Sequence, residues 1–125
     1  MRILIVDDSA MMRAMVKRVI KLADVQVEEI LEAGNGAEAL ALLESHDVQL
    51  LLTDINMPVM NGPDLLRALA KQPDAVRARV VISTDGSEAR RAEVVGLNVD
   101  WYLEKPLRPE VMRDVLSKVA ERVHG

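Results

Sequence analysis

Asp7 and Asp8 close the apolar run Ile3-Leu4-Ile5-Val6, and Asp54 follows Leu50-Leu51-Leu52-Thr53. Runs this apolar read as strands buried on both faces. Pro58 cannot donate to a sheet ladder, so the second of these strands stops before it, and Asn61-Gly62 signals a further turn. All three acids then sit at carboxyl ends of buried strands, the edge where open parallel sheets bind ligands. Carboxylates gathered there repel one another, and a hard divalent cation with oxygen ligands relieves the repulsion. Magnesium keeps several waters and takes one or two carboxylates, which leaves room for a phosphoryl oxygen. An aspartate can itself accept a phosphoryl group as an acyl phosphate, so Asp54 is the candidate nucleophile. Any one Asp in such a place could equally cap a helix or sit in a solvated turn. Three together, with the partners below, are better explained as a site.

The partners are Lys105, Ser83 and Asn56. Lys105 follows the fifth strand, where its ammonium can reach the same edge and neutralise developing charge. Ser83 ends the fourth strand and offers a hydroxyl to a phosphoryl oxygen. Asn56 lies in the loop after Asp54, where its backbone carbonyl can serve a metal. Taken singly, these residues would be an exposed lysine, a strand-end hydrogen bond and an ordinary turn residue.

The elements that must position these groups alternate between strand and helix patterns, the signature of a parallel α/β sheet. Strands are expected over Ile3–Val6, about Val27–Ala33, Leu50 to the residues before Asp54, Val80–Ser83 and Val99–Leu103. Five helices are expected. In the first, Met12, Met15, Val16, Val19 and Ile20 face inward, with Ser9 as its cap. The second carries Ala39, Leu40 and Leu43, and the third Leu65, Leu66 and Leu69. The fourth, over 87–95, is weak, with Ala89, Ala92 and Val95 as its inward candidates. The fifth repeats Met112, Val115, Leu116, Val119, Ala120 and Val123. Strands two and five carry charges, as edges do, while one, three and four are nearly pure apolar runs. With right-handed crossovers this fits the flavodoxin-like order 2-1-3-4-5, which is adopted as a known solution. Strands one and three are then neighbours and the three acids converge.

Composition narrows the function. A chain of 125 residues, half of them hydrophobic, reads as one domain with a proper core. No cysteine is present, so disulfides, thiolate metal sites and a cysteine nucleophile are excluded, and a reducing compartment fits. The first strand begins almost at Met1 and no apolar run reaches membrane length, so a cytoplasmic protein without membrane insertion is expected. A net charge of −4, dispersed basic residues and only Trp101 and Tyr102 as aromatics argue against direct nucleic-acid binding. Arg77-Ala78-Arg79 and Arg90-Arg91 read as solvated turn or helix faces. Met11, Met12 and Met15 read as flexible core filling.

Three stretches carry a family resemblance: ILIVDDS (Ile3–Ser9), LLTDINMPVMNG (Leu51–Gly62) and LEKP (Leu103–Pro106). In order and spacing they resemble the response-regulator receiver domain over essentially the whole chain. The start, DDSAMMR, is similar to the stand-alone, CheY-like chemotaxis type. The resemblance implies a flavodoxin-like doubly wound five-stranded parallel sheet. It implies a two-component phosphoacceptor, Asp54 taking phosphate from a histidine kinase. It implies Mg²⁺ held by Asp8, Asp54 and the carbonyl of Asn56, with Asp7 ligating mostly through water. Ser83 and Lys105 would contact the phosphoryl group, the Lys105–Pro106 bond would be cis, and Tyr102 would be a switch aromatic. A downstream protein target would read the face made by the fourth helix, the fifth strand and the fifth helix. Trp101 adjoins Tyr102 in sequence and would report the switch by fluorescence.

The chain departs from the family at Thr84, where Ala or Gly is usual, at Asn98-Val99 in place of a common Gly-Ala pair, and at Leu107 in place of a frequent Phe. None removes a required group. Two other functions compete. A magnesium phosphatase with an aspartate nucleophile needs a general acid two residues after it, and Asn56 stands there. A pseudo-receiver, an interaction module without phosphorylation, lacks site residues that this chain has.

Overall fold

A computed structural model describes residues 1–83 and 91–124. Five strands form one parallel sheet: β1 (Arg2–Val6), β2 (Glu29–Ala33), β3 (Leu50–Thr53), β4 (Ala78–Ser83) and β5 (Trp101–Glu104). Their order is β2-β1-β3-β4-β5. In register, Val6 pairs with Ala33 and Thr53, Thr53 with Val81, and Ser83 with Glu104. The carboxyl ends of the strands are thus level, and the residues that follow them share one edge.

Four helices lie among the described residues: α1 (Ala10–Leu22), α2 (Gly36–Ser45), α3 (Gly62–Ala70) and α4 (Pro109–His124). Residues 87–90 of the helix expected over 87–95 lie outside the described residues, as does Thr84. Of its expected inward residues, Ala92 and Val95 are exposed, and Val94 is buried instead. Arg91 and Ala92 are helical and a turn follows them. Side chains alternate across the central strands and build two cores. Ile3, Ile5, Leu50, Leu52, Val80 and Ile82 pack with Val16 and Ile20 of α1 and Met112, Val115, Leu116 and Val119 of α4. Leu4, Val6, Leu51 and Val81 pack with Ala39 of α2 and Leu65, Leu66 and Leu69 of α3. Three helices begin with side-chain caps that fix where the preceding loops stop. Ser9, Asn35 and Asn61 accept from the amides of Met12, Glu38 and Asp64.

The structure corrects several expectations. β2 begins at Glu29 and β5 at Trp101, later than the apolar patterns suggested, while β4 begins earlier, at Ala78. Met11 and Met15 are exposed, not core residues, because Val16, Val19 and Ile20 fill the inward face of α1. Arg79 is no solvated residue: it is buried within β4. Its Nη2 donates to the carbonyls of Leu69, Gln72 and Pro73 at 3.2, 3.1 and 3.4 Å, so the guanidinium satisfies carbonyls freed where α3 ends. Trp101 is half-buried against the core that α1 and α4 share, and Tyr102 is half-buried against the core on the other face of the sheet, with Arg91 over its ring. Both lie on β5, adjacent as expected, and as neighbours on a strand they point to opposite faces.

Candidate functional site: an acidic cluster with one lysine

The cluster begins where β1 and β3 stop. Asp7 is held at four points. Its amide donates to the Ala33 carbonyl at 3.0 Å, and its own carbonyl accepts from Arg13 Nη1 at 2.6 Å. Its Oδ1 accepts from the Ser9 amide at 2.9 Å, and its Oδ2 lies 3.4 Å from Lys105 Nζ. Asp7 is buried and Asp8 is exposed. The Asp54 amide donates to the Val6 carbonyl at 2.9 Å, which ties the end of β3 to the end of β1. Asp54 Oδ1 accepts from the Ile55 amide at 2.7 Å, and Oδ2 lies 3.7 Å from Lys105 Nζ.

One carboxylate oxygen from each of Asp7, Asp8 and Asp54 lies within 4.8 Å of the others. All three donors are hard oxygens gathered at one edge, the chemistry a small divalent cation takes, so the residues present fit such an ion. Burial pushes the Asp54 carboxyl above its ordinary pKa. Charge on Asp7 and Asp8 adds to the rise, while the Ile55 amide and Lys105 oppose it. Lys105 thus offsets the charge of Asp7 and Asp54, and it lies closer to Asp7 than to Asp54.

The loop after Asp54 is tightly built. Gly62 donates to the Ile55 carbonyl at 2.8 Å. A side chain at Gly62 would bring its Cβ to 2.9 Å from Ile55 Cα and closer still to the Asp54 carbonyl. Glycine is therefore needed for backbone to approach backbone beneath the acid. Met60 accepts from the Gly36 amide at 2.9 Å, which joins the start of α2 to this loop. Val59 is exposed at φ 68°, the left-handed region that β-branched residues avoid. Asn56 is exposed in the same loop.

The other expected residues gather at or near this edge. Ser83 is buried at the end of β4, and its carbonyl accepts from the Lys105 amide at 2.9 Å. The Lys105–Pro106 bond is cis, as expected. Tyr102 is half-buried on β5, with the Arg91 guanidinium 4.7 Å from its ring centre. Arg13 escaped the sequence reading, because its partners Asp7 and Glu32 are joined to it only by the fold.

Comparison with known proteins agrees with this architecture. The family described as "Response regulator receiver domain" matches residues 3–117. The chemotaxis protein CheY of Pseudomonas aeruginosa is 36% identical over 128 aligned positions, covering 100% of both chains. Chemotaxis protein CheY1 of Helicobacter pylori is 35% identical over 121 residues, 95% of this chain and 96% of that one. The solved structure of Vibrio cholerae chemotaxis protein CheY4 superposes with a TM-score of 0.80 at 29% identity, covering 94% of this chain and 97% of that one. Sheet order, acidic edge and sequence likeness thus agree: this chain belongs to the response-regulator receiver family, the phosphoryl-accepting domains of two-component signalling.

Proposed function

We propose that Asp54 is the phosphoacceptor and that a histidine kinase is its donor. The observation that carries this reading is the convergence of Asp7, Asp8, Asp54 and Lys105 on one sheet edge. An Asp54 oxygen attacks the phosphorus of a phosphohistidine. The new P–O bond forms as the P–N bond breaks, and the electron pair stays on the imidazole, which takes a proton from solvent. Lys105 offers its ammonium to the charge that develops on the phosphoryl oxygens. Asp7, Asp8, Asp54 and the carbonyl of Asn56 would hold Mg²⁺, which when bound supplies positive charge to those same oxygens. The chain turns over only its own phosphoryl group and acts on no other substrate. We assign it to the cytoplasm. No described helix is long and apolar enough to cross a membrane.

The output is a change of binding surface. The Ser83 hydroxyl is drawn toward the phosphoryl group, and Tyr102 turns inward from the β5 surface. That movement takes the ring away from Arg91 and alters the face shared by residues 91–95, β5 and α4, which a downstream protein reads. Two measurements test the whole. Incubation with acetyl phosphate and Mg²⁺, followed by peptide mapping, should place the adduct on Asp54. An unchanged yield in Asp54→Ala, or with the metal chelated, would refute the acceptor. Partner affinity with and without beryllofluoride should change in wild type and much less in Ser83→Ala and Tyr102→Ala. If both variants keep the wild-type ratio, the switch route is wrong, since a ligand shifts an equilibrium only by its differential affinity for the two states.

A further inference from the structure

Arg13 lies on the first turns of α1, outside the set of acids and Lys105, yet it is bonded to both ends of the segment that carries Asp8. Its amide donates to the Ser9 carbonyl at 3.0 Å. Its side chain turns back, and Nη1 donates to the Asp7 carbonyl at 2.6 Å. The guanidinium is itself anchored: Nε donates to Glu32 Oε1 at 3.0 Å, and the other oxygen of Glu32 takes Lys17 Nζ at 3.1 Å. Glu32 belongs to β2 and pairs in register with Ile5 of β1, so this anchor is part of the sheet. The Arg13 side chain is 19% exposed, and its bond to the Asp7 carbonyl is partly shielded from bulk water, while its anchor on Glu32 lies at the surface.

The Asp7 carbonyl is half of the peptide unit that joins Asp7 to Asp8. That unit is planar, so fixing its oxygen fixes the direction in which the chain leaves for the Asp8 Cα. Asp7 has further restraints of its own, whereas Asp8 is the exposed member of the cluster. We propose that Arg13 is a positioning residue for the acidic site: by holding the Asp7 carbonyl it aims the Asp8 carboxylate at the ion. The inference rests on the reading of Asp7, Asp8 and Asp54 as a divalent-cation site.

Charge and position make opposite demands on Arg13. A cation beside the cluster repels a second cation, so loss of its charge alone would tighten Mg²⁺ binding. Loss of a group that orients a ligand weakens metal binding, by about 10- to 100-fold at other sites. The test is titration calorimetry of the unphosphorylated protein with Mg²⁺ and no phosphodonor. Arg13→Met, which keeps the apolar stem and removes every donor, should bind Mg²⁺ about 10-fold more weakly or worse. Arg13→Lys, which restores one donor to the Asp7 carbonyl, should recover most of the loss. Equal or tighter binding by Arg13→Met overturns the proposal, and so does a Lys variant no better than Met. Should Arg13→Met fail to fold, Glu32→Gln serves instead, because glutamine still accepts from Nε but carries no charge. Its affinity should stay close to wild type, and a loss as large as that expected of Arg13→Met would mean that charge acts and not the hydrogen bond. Wild-type protein that binds no Mg²⁺ would instead sink the metal-site reading itself, which keeps the two failures apart.

Discussion

Replacing Asp54 by Asn should stabilise the metal-free protein. Oxygens of Asp7, Asp8 and Asp54 lie within 4.8 Å of one another. At an effective dielectric of about 20, two unit charges so placed repel by roughly 3 kcal/mol. Asp54 bears two such repulsions. Lys105, 3.7 Å from its Oδ2, gives back about 4 kcal/mol on the same scale. The balance against an ionised Asp54 is then about 2 kcal/mol, raised by burial and reduced by the solvent around Asp8. Asparagine keeps the shape and the acceptor for the Ile55 amide, and its own NH₂ can donate to Asp7 or Asp8. The expected gain is about 1–2 kcal/mol, or roughly 3–8 °C in Tm for a domain of this size. Thermal melts in chelator measure it. Excess Mg²⁺ should stabilise wild type by mass action and close the gap, because the variant binds the ion less well.

The gain should also depend on pH in a defined direction. The folded-state pKa of Asp54 is raised, so the folded protein holds this proton more tightly than the unfolded chain does. The penalty is complete above the folded pKa. It is lost as the pH falls through that value toward the ordinary aspartate pKa of about 4. The advantage of Asp54→Asn should shrink over the same window. A variant that melts below wild type in chelator at neutral pH, or that Mg²⁺ stabilises equally, would refute the argument.

Gly62→Ala should lose about 2–3 kcal/mol in urea unfolding, because the added Cβ meets backbone at Asp54 and Ile55 that cannot yield. A loss under about 0.5 kcal/mol would contradict that. Val59→Gly should gain about 0.5 kcal/mol, since a left-handed β-branched residue costs roughly 1–2 kcal/mol and glycine's extra unfolded-state freedom offsets part of it. A lower urea midpoint than wild type would refute this. Arg79→Ala should destabilise by about 2–3 kcal/mol, because three carbonyls near the end of α3 lose their donor. Calorimetry showing an unchanged Tm would mean that solvent replaces the guanidinium there.

What could be read from the sequence had local causes. β1 and β3 are unbroken apolar runs ended by acids, so Asp7, Asp8 and Asp54 were placed correctly. Charges on β2 and β5 marked the edges and hence the order of the sheet. The misreadings of Arg79 and Arg13 share a different cause, which is partners supplied only by the folded chain. Arg79 looks solvated until α3 brings its carbonyls to the guanidinium. Arg13 shows no local signal because Glu32 is 19 residues away. Met15 has helical spacing suited to the core, but the inward face of α1 is already filled by Val16, Val19 and Ile20. The ends of β2 and β5 were misplaced because Val27 and Val99 are apolar yet pack at strand approaches outside the ladder.

The placement of the two aromatic residues has a spectroscopic consequence. The chain has one Trp, one Tyr and no Phe. Trp101 lies in the layer of α1 and α4, with the Arg122 guanidinium 5.0 Å from its ring centre, and Tyr102 lies in the opposite layer. Each half of the protein therefore carries a single native chromophore. Tryptophan emission follows the packing of α1 and α4, while tyrosine absorbance and ring-proton resonances follow the other face of β5, where Arg91 lies over the ring. An event confined to one layer should leave the other chromophore silent, and global unfolding should move both together. One unlabelled sample can thus separate a local rearrangement from the loss of the fold.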